Sequence, residues 1–142
     1  NTQEFGNISE YFYGLGESDE VLTLYQNPSN TGASSTSKNY AGATQVDVEI
    51  KSAKIVLNNL GISKIDVLKI DTEGAEVPIL RSLQPILKDV DIIMLEYHSS
   101  EDRRIILDLL SDFDFYSPER RLSNGVGTLK CRNKRIIRQM TS

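Results

Sequence analysis

Ile65-Asp66-Val67-Leu68-Lys69-Ile70-Asp71-Thr72-Glu73-Gly74-Ala75-Glu76 is the stretch on which the reading of this chain turns. Its first seven residues are mostly apolar, as expected of a strand buried on both faces of a parallel sheet. From Ala75 to Lys88 the period changes to that of a helix, with Val77, Leu80, Leu83 and Leu87 on one face. Pro78 is tolerable because it falls in the first turn, where the backbone N–H has no intrahelical partner. Between strand and helix lie three carboxylates in six residues, Asp71, Glu73 and Glu76. The helix dipole favours acids at its start, so capping accounts for one of them, but hardly for three. Gly74 supplies the freedom for a sharp strand-to-helix turn or for close approach of a ligand.

Outward from this stretch the pattern repeats. Val90 to Tyr97 reads as a second buried strand, followed by a capping-box-like Ser99 and Asp102 and a helix through about Ser111. Ile105, Ile106, Leu109 and Leu110 form the apolar face of that helix. Phe113 to Leu122 and Val126 to Arg132 flank Asn124-Gly125, a strong hairpin signal, so the chain should end in an antiparallel pair. Upstream, Val46 to Ile50 alternates like a strand, and Ser52 to Leu60 has helical spacing closed by Gly61. Glu10 to Leu15 and Glu20 to Tyr25 read as strands. Residues 27–45 are rich in Ser, Thr, Asn and Gly, with almost no large aliphatic side chain, and predict a long loop, either a bare surface loop or one held down by a ligand.

Strand, helix, strand, helix and hairpin describe an α/β open sheet whose last strand reverses. Ligands bind such sheets beyond the carboxyl ends of the parallel strands. That directs attention to Asp71–Glu76 and to Glu96–Ser99. Glu96 and His98 are two apart on an extended strand, hence on one side of it, and His98 is the only histidine of the chain. Imidazole is the side chain that takes a proton most readily near neutral pH.

Composition bounds the answer. The chain has 142 residues, 39% hydrophobic, enough for one core. Lys and Arg total 16 against 20 for Asp and Glu, a net charge of −4, which argues against a general nucleic-acid or acidic-membrane binder. No apolar stretch reaches bilayer length, and a cytoplasmic location is the default expectation. Cys131, the single cysteine, has no intrachain disulfide partner, and with one histidine it is too little for a Cys/His zinc site.

The segment Ile65–Leu83 (IDVLKIDTEGAEVPILRSL), followed by Ile92–His98 (IIMLEYH), resembles the FkbM family of S-adenosylmethionine-dependent methyltransferases. Gly14–Ser35 (GLGESDEVLTLYQNPSNTGASS) is similar to the strand, hairpin and Asn/Ser/Gly loop that precede those motifs. The resemblance runs over roughly residues 8–132. It implies a Rossmann-like class I methyltransferase sheet, mostly parallel with a C-terminal antiparallel hairpin, and S-adenosylmethionine as cofactor. By that pattern the chain begins near the third strand. The glycine-rich loop of the first strand and the ribose-binding acid of the second have no counterpart, since Gly14-Leu15-Gly16 leads into another strand-like run. Residues 1–132 would then be a partial methyltransferase domain, completed by a further N-terminal segment or a second copy, and 133–142 a basic, solvated tail.

The resemblance also implies roles. Asp71 matches the acid ending the fourth strand, near the transferred methyl; Glu73 and Glu76 match the family's Glu-Gly-x-Glu; Glu96 and His98 match the end of the fifth strand. Leu15 and Gly16 follow the third strand, where the family approaches the adenine, and Ser34 and Ser35, with Glu76, are candidate contacts to the acceptor. Methyl transfer to a hydroxyl needs alignment and removal of one proton, for which His98 or Asp71 is the expected base, with Glu73 and Glu96 orienting. The acceptor is expected to be a small molecule, sugar or lipid-linked glycan, and no metal is required. A purely structural alternative has Asp71 and Glu73 capping the helix while Glu96 pairs with Lys69 or an arginine. A functional alternative is a non-catalytic interaction domain that has lost its cofactor site. A metal-dependent hydrolase is disfavoured, since no nucleophile elbow or phosphate loop occurs.

Overall fold

The computed structural model describes residues 6–27, 30–35, 44–72, 74–115, 120–121 and 125–136. In chain order the elements are β1 (Gly14–Gly16), β2 (Glu20–Asn27), β3 (Asn30–Ser35), β4 (Thr44–Ser52), α1 (Ala53–Asn59), β5 (Ile65–Ile70), α2 (Glu76–Leu83), β6 (Val90–Tyr97), α3 (Ser100–Leu109), β7 (Phe113–Phe115), β8 (Arg120–Arg121) and β9 (Gly127–Asn133), with a short 3₁₀ turn at Leu87–Asp89. The protein is α/β, as expected, but its strands form two sheets, β1-β4-β2-β3 and β5-β6-β9-β7, with β8 also on β9. Among the described strands only β1 with β4 and β5 with β6 run parallel. The pairs β2–β3, β2–β4, β6–β9, β7–β9 and β8–β9 are antiparallel, so the expected mostly parallel sheet is a mixture.

The core lies on the second sheet. Ile93 of β6, Leu80 of α2, Ile106 and Leu110 at the end of α3, and Cys131 of β9 are all fully buried, and each large aliphatic among them contributes about 1.5–3 kcal/mol by leaving water. β9 alternates strictly, placing Gly127, Leu129, Cys131 and Asn133 inward. It slots between β6 and β7, pairing Leu95 with Leu129 and Phe113 with Asn133.

Helix ends follow local chemistry. α1 closes in a Schellman arrangement: Gly61 takes φ +67° and donates its N–H to Asn58 O, and Ile62 donates to Leu57 O. α3 starts at Ser99, whose Oγ accepts from the Asp102 N–H at 3.0 Å. α2 ends at Leu83 rather than running on to Lys88: Gln84 keeps helical angles, but Pro85 has no N–H to continue the ladder, and the chain tightens into i→i+3 turns, with the Gln84 N–H on Arg81 O and the Ile86 N–H on Leu83 O.

Four expectations change. Residues 27–45 are not one loop: Asn30–Ser35 pair with β2 and Thr44 opens β4, because main-chain hydrogen bonds order a hairpin without apolar side chains. The aromatic run 10–15 contributes only its end to β1. β5 is not buried on both faces; among the described strands it pairs with β6 alone, and Val67 is 55% exposed. The basic tail does not start solvated: Lys134 Nζ donates to Ser111 O at 2.7 Å, and Arg135 forms an ion pair with Asp91.

A seam of small polar groups joins the sheets. Ser52, at the α1 N-terminus, makes no side-chain cap. Instead Ser82 of α2 reaches across, its Oγ accepting from the Lys54 N–H at 3.1 Å and lying 3.2 Å from Ser52 Oγ. The Ser52 N–H donates to Asp19 at 2.7 Å. This seam holds β1 against α2 and so brings the first sheet to the head of the second.

Candidate functional site at the carboxyl ends of β5 and β6

β5 and β6 are parallel, with Ile70 opposite Leu95, so Asp71 and Thr72 just past β5 meet the end of β6 at one rim, its last residues Glu96 and Tyr97 with His98 and Ser99 beyond them. Asp71 is exposed and receives a 2.9 Å hydrogen bond from Lys69 Nζ. The Lys69 ammonium holds the Asp71 carboxyl below the usual carboxylate range, and His98 and Glu96 beside it act in the same direction. Lys69 is thus a site residue, where the sequence suggests it only as a partner for Glu96. Its spacing of two from Asp71, the same-side spacing of a strand, was the available signal.

Glu76 has the most constrained position. It is 1% exposed, yet it heads α2, and its side chain folds back over the turn. Oε1 accepts from the Thr72 N–H at 3.1 Å, from Thr72 Oγ1 at 3.1 Å and from the Gly74 N–H at 3.3 Å. Gly74 has φ +116°, open to glycine and costly for other residues, and this turns its N–H toward the carboxylate. Three donors and the positive end of the helix offset the burial of the charge. Glu76 is therefore the group that closes the turn, a role the structural alternative gave to Asp71 and Glu73. Its second oxygen, Oε2, lies 3.5 Å from His98 Nδ1. His98 is partly buried and sits between Tyr97, the end of β6, and Ser99, the cap of α3.

The structure thus brings together Asp71, Glu76, Glu96 and His98, and adds Thr72 and Lys69. Glu73 lies outside the described residues. Leu15 and Gly16 on β1 border a separate pocket of about 440 Å³, walled also by Ile50, Ala75 and Pro78. Ala75 precedes Glu76, so this pocket adjoins the α2 turn from the other side. A Cβ on Gly16 would stand 2.7 Å from an Ile50 methyl carbon, which gives the glycine a packing reason of its own. Ser34 and Ser35 are on β3, the edge of the first sheet away from β1. Among the described residues no cluster of three His, Cys, Asp or Glu side chains suits a metal ion, and no helix is long and apolar enough to cross a membrane.

Comparison with known proteins puts this rim in context. Residues 3–116 match the Methyltransferase FkbM domain, so the match stops short of β9. The hexuronic acid methyltransferase AglP of Haloferax volcanii is 28% identical over 109 residues, which cover 75% of this chain and 44% of AglP. The chain thus spans less than half the length of that relative. No solved structure matches. With the family pattern covering most of its length, including the β5–α2 turn and the β6 end, the chain belongs to the FkbM methyltransferase family.

Proposed function

We propose that this chain carries the acceptor side of an S-adenosylmethionine-dependent methyltransferase that methylates a hydroxyl, on a small molecule, a sugar or a lipid-linked glycan. The observation that carries the reading is the convergence of Asp71, His98 and Glu96 at the carboxyl ends of the parallel β5–β6 pair, in a chain of a methyltransferase family. The order β5-β6-β9-β7, with the last strand inserted antiparallel beside β6, is consistent with the second half of a class I sheet, and the edge of β5 that no described strand pairs with is where its first half would pair.

When bound, the cofactor supplies an electrophilic methyl on a sulfonium sulfur and departs as a neutral thioether. The residues around the β1 pocket suit part of it: Leu15, Ile50, Ala75 and Pro78 offer an apolar wall to an aromatic ring. The described residues include no glycine-rich strand-to-helix loop, so ribose and methionine contacts are not assigned to them. On the acceptor side, Asp71 and His98 divide the work. A carboxyl held ionised by Lys69 is a weak proton acceptor but a good hydrogen-bond acceptor, fitted to orient a hydroxyl. Imidazole suits the proton itself. A sugar acid of the kind named for AglP offers both hydroxyls and a carboxylate; only a hydroxyl needs a base, and the presence of His98 favours the hydroxyl.

Calorimetric titration with S-adenosylmethionine tests the reading, using this chain and a longer version with upstream sequence. Binding by the longer version is expected; binding by neither would sink the cofactor assignment. In an active longer version, His98→Ala should lower turnover by about 10²–10⁴-fold with little change in cofactor affinity, and unchanged turnover would remove His98 from the mechanism. The second reading, an interaction domain without cofactor, rests on the absence of a glycine-rich loop among the described residues and gains if neither version binds.

A further inference from the structure

We propose that Glu76 is a positioning residue that sets the tautomer of His98, holding the proton on Nδ1 and leaving Nε2 as the ring's acceptor. The argument begins on the other side of the carboxylate. Oε1 faces two backbone N–H groups, those of Thr72 and Gly74, together with the Thr72 hydroxyl. Backbone N–H groups only donate, so this oxygen acts as an acceptor, and the carboxylate cannot rotate without stranding buried donors. The second oxygen is thereby fixed toward His98, 3.5 Å from Nδ1. That spacing is longer than a direct hydrogen bond, and a small ring movement closes it. Of the two neutral tautomers, only the one with Nδ1–H complements a carboxylate oxygen. In the other, two lone pairs face each other.

The consequence for chemistry rests on the methyl-transfer reading. A base must present a lone pair, and the tautomer chosen by Glu76 presents it at Nε2. With a methyl donor bound, the acceptor's O–H proton would pass to Nε2 as its oxygen bonds the methyl carbon, and the C–S bonding pair would stay with the departing sulfur. The resulting imidazolium keeps its Nδ1–H on Glu76. Other charges near the ring include Asp71 and Glu96, with Lys69 beyond Asp71. Asp71 is the competitor: were it to take an Nε2–H, the tautomer would be reversed and the base disabled.

Because His98 is the only histidine, ¹⁵N-histidine NMR of the whole 142-residue chain, above the titration range of the ring, reads one imidazole without assignment ambiguity. The expected result is a protonated, pyrrole-type Nδ1 and a pyridine-type Nε2. Glu76→Gln sharpens the test. Its amide oxygen has to replace Oε1 to receive the two backbone N–H groups, so its NH₂ faces Nδ1 and donates to it. The pyridine-type shift should therefore move from Nε2 to Nδ1, an inverted tautomer in an isosteric variant. Nε2–H in the native chain, or the same tautomer in native chain and folded variant, would overturn the proposal. If the variant does not fold, the native tautomer alone decides. The readout uses neither cofactor nor acceptor, so loss of the methyltransferase reading leaves it standing, whereas an Nε2–H ring removes the positioning role even where methyl transfer is demonstrated.

Discussion

Changing Asn133 to aspartate should unfold this protein more readily than changing it to alanine. Asn133 is 4% exposed at the end of β9. Its amide nitrogen faces three carbonyl oxygens, Val90 at 3.0 Å, Lys88 at 3.3 Å and Leu87 at 3.4 Å, while its Oδ1 accepts from the Arg135 N–H at 3.1 Å. An amide has two hydrogens, so one bond to Val90 and one shared between Lys88 and Leu87 describe the arrangement. Asn133→Ala removes three bonds, two donated and one accepted, and leaves carbonyls without their donor, about 2–3 kcal/mol. Asn133→Asp keeps the shape and the Arg135 contact but turns both donors into an acceptor-only charge against three oxygens, about 3–5 kcal/mol at neutral pH. With a urea slope of about 2 kcal/mol/M, the midpoints should fall by ~1–1.5 M and ~1.5–2.5 M. The aspartate penalty also has a sign in pH. The buried carboxyl would titrate above its unfolded value, so the protonated, donating form is favoured below about pH 4 and stability is lost as pH rises through the folded pKa. Urea melts of the three proteins at neutral and acid pH check this. An aspartate variant within about 0.5 kcal/mol of native at pH 7, or more stable than the alanine variant there, would refute the account of this junction.

Two further outcomes concern β9 and α3. Burial of Cys131 pushes its thiol from 9.0 up to about 12. The fold therefore favours the neutral thiol, and this contribution is complete below pH 9 and declines by up to ~1.4 kcal/mol per unit as pH rises toward 12. Cys131→Ala should flatten that alkaline decline, and labelling of the native thiol should proceed only at the rate of global opening. Labelling at the free-thiol rate without denaturant would contradict it. Ser99→Ala removes the only side-chain cap on α3, with Asp102 left without its 2.6 Å donor. A loss of about 1 kcal/mol in urea is expected, with glycine at the same position costing a few tenths; equal stability of the alanine variant would show that another group satisfies the Asp102 N–H.

The legible parts of the fold are those where one physical signal dominates. β6 matches its expected bounds, Val90–Tyr97, because a continuous apolar run between polar residues has one solution in a parallel pair. Ser99 with Asp102 and Gly61 mark helix ends because capping is local chemistry. β3 escaped notice because a Ser/Thr/Asn hairpin is held by its main chain, which leaves no trace in hydropathy. The Pro85 stop was readable and outweighed by the apolar spacing of Leu87. At the site, proximity of Asp71 to His98 followed from parallel strand ends, while the burial of Glu76 did not. Its flanking residues Ala75 and Val77 are apolar, as at any helix start on a core, and nothing in a Glu-Gly-Ala-Glu run distinguishes an acid facing solvent from one folded beneath the turn.

By itself the sequence determined the family, the α/β class and the rim where chemistry should occur, because strand periodicity and caps are short-range and acids at strand ends have few other uses. Only the tertiary structure decided which acid does what. Asp71 meets Lys69 and stays at the surface, whereas Glu76 is taken inside by the Thr72 and Gly74 donors and turned toward His98. The physical reason is that a carboxylate's role is set by the donors surrounding it, and those donors converge only when β5, α2 and β6 have packed.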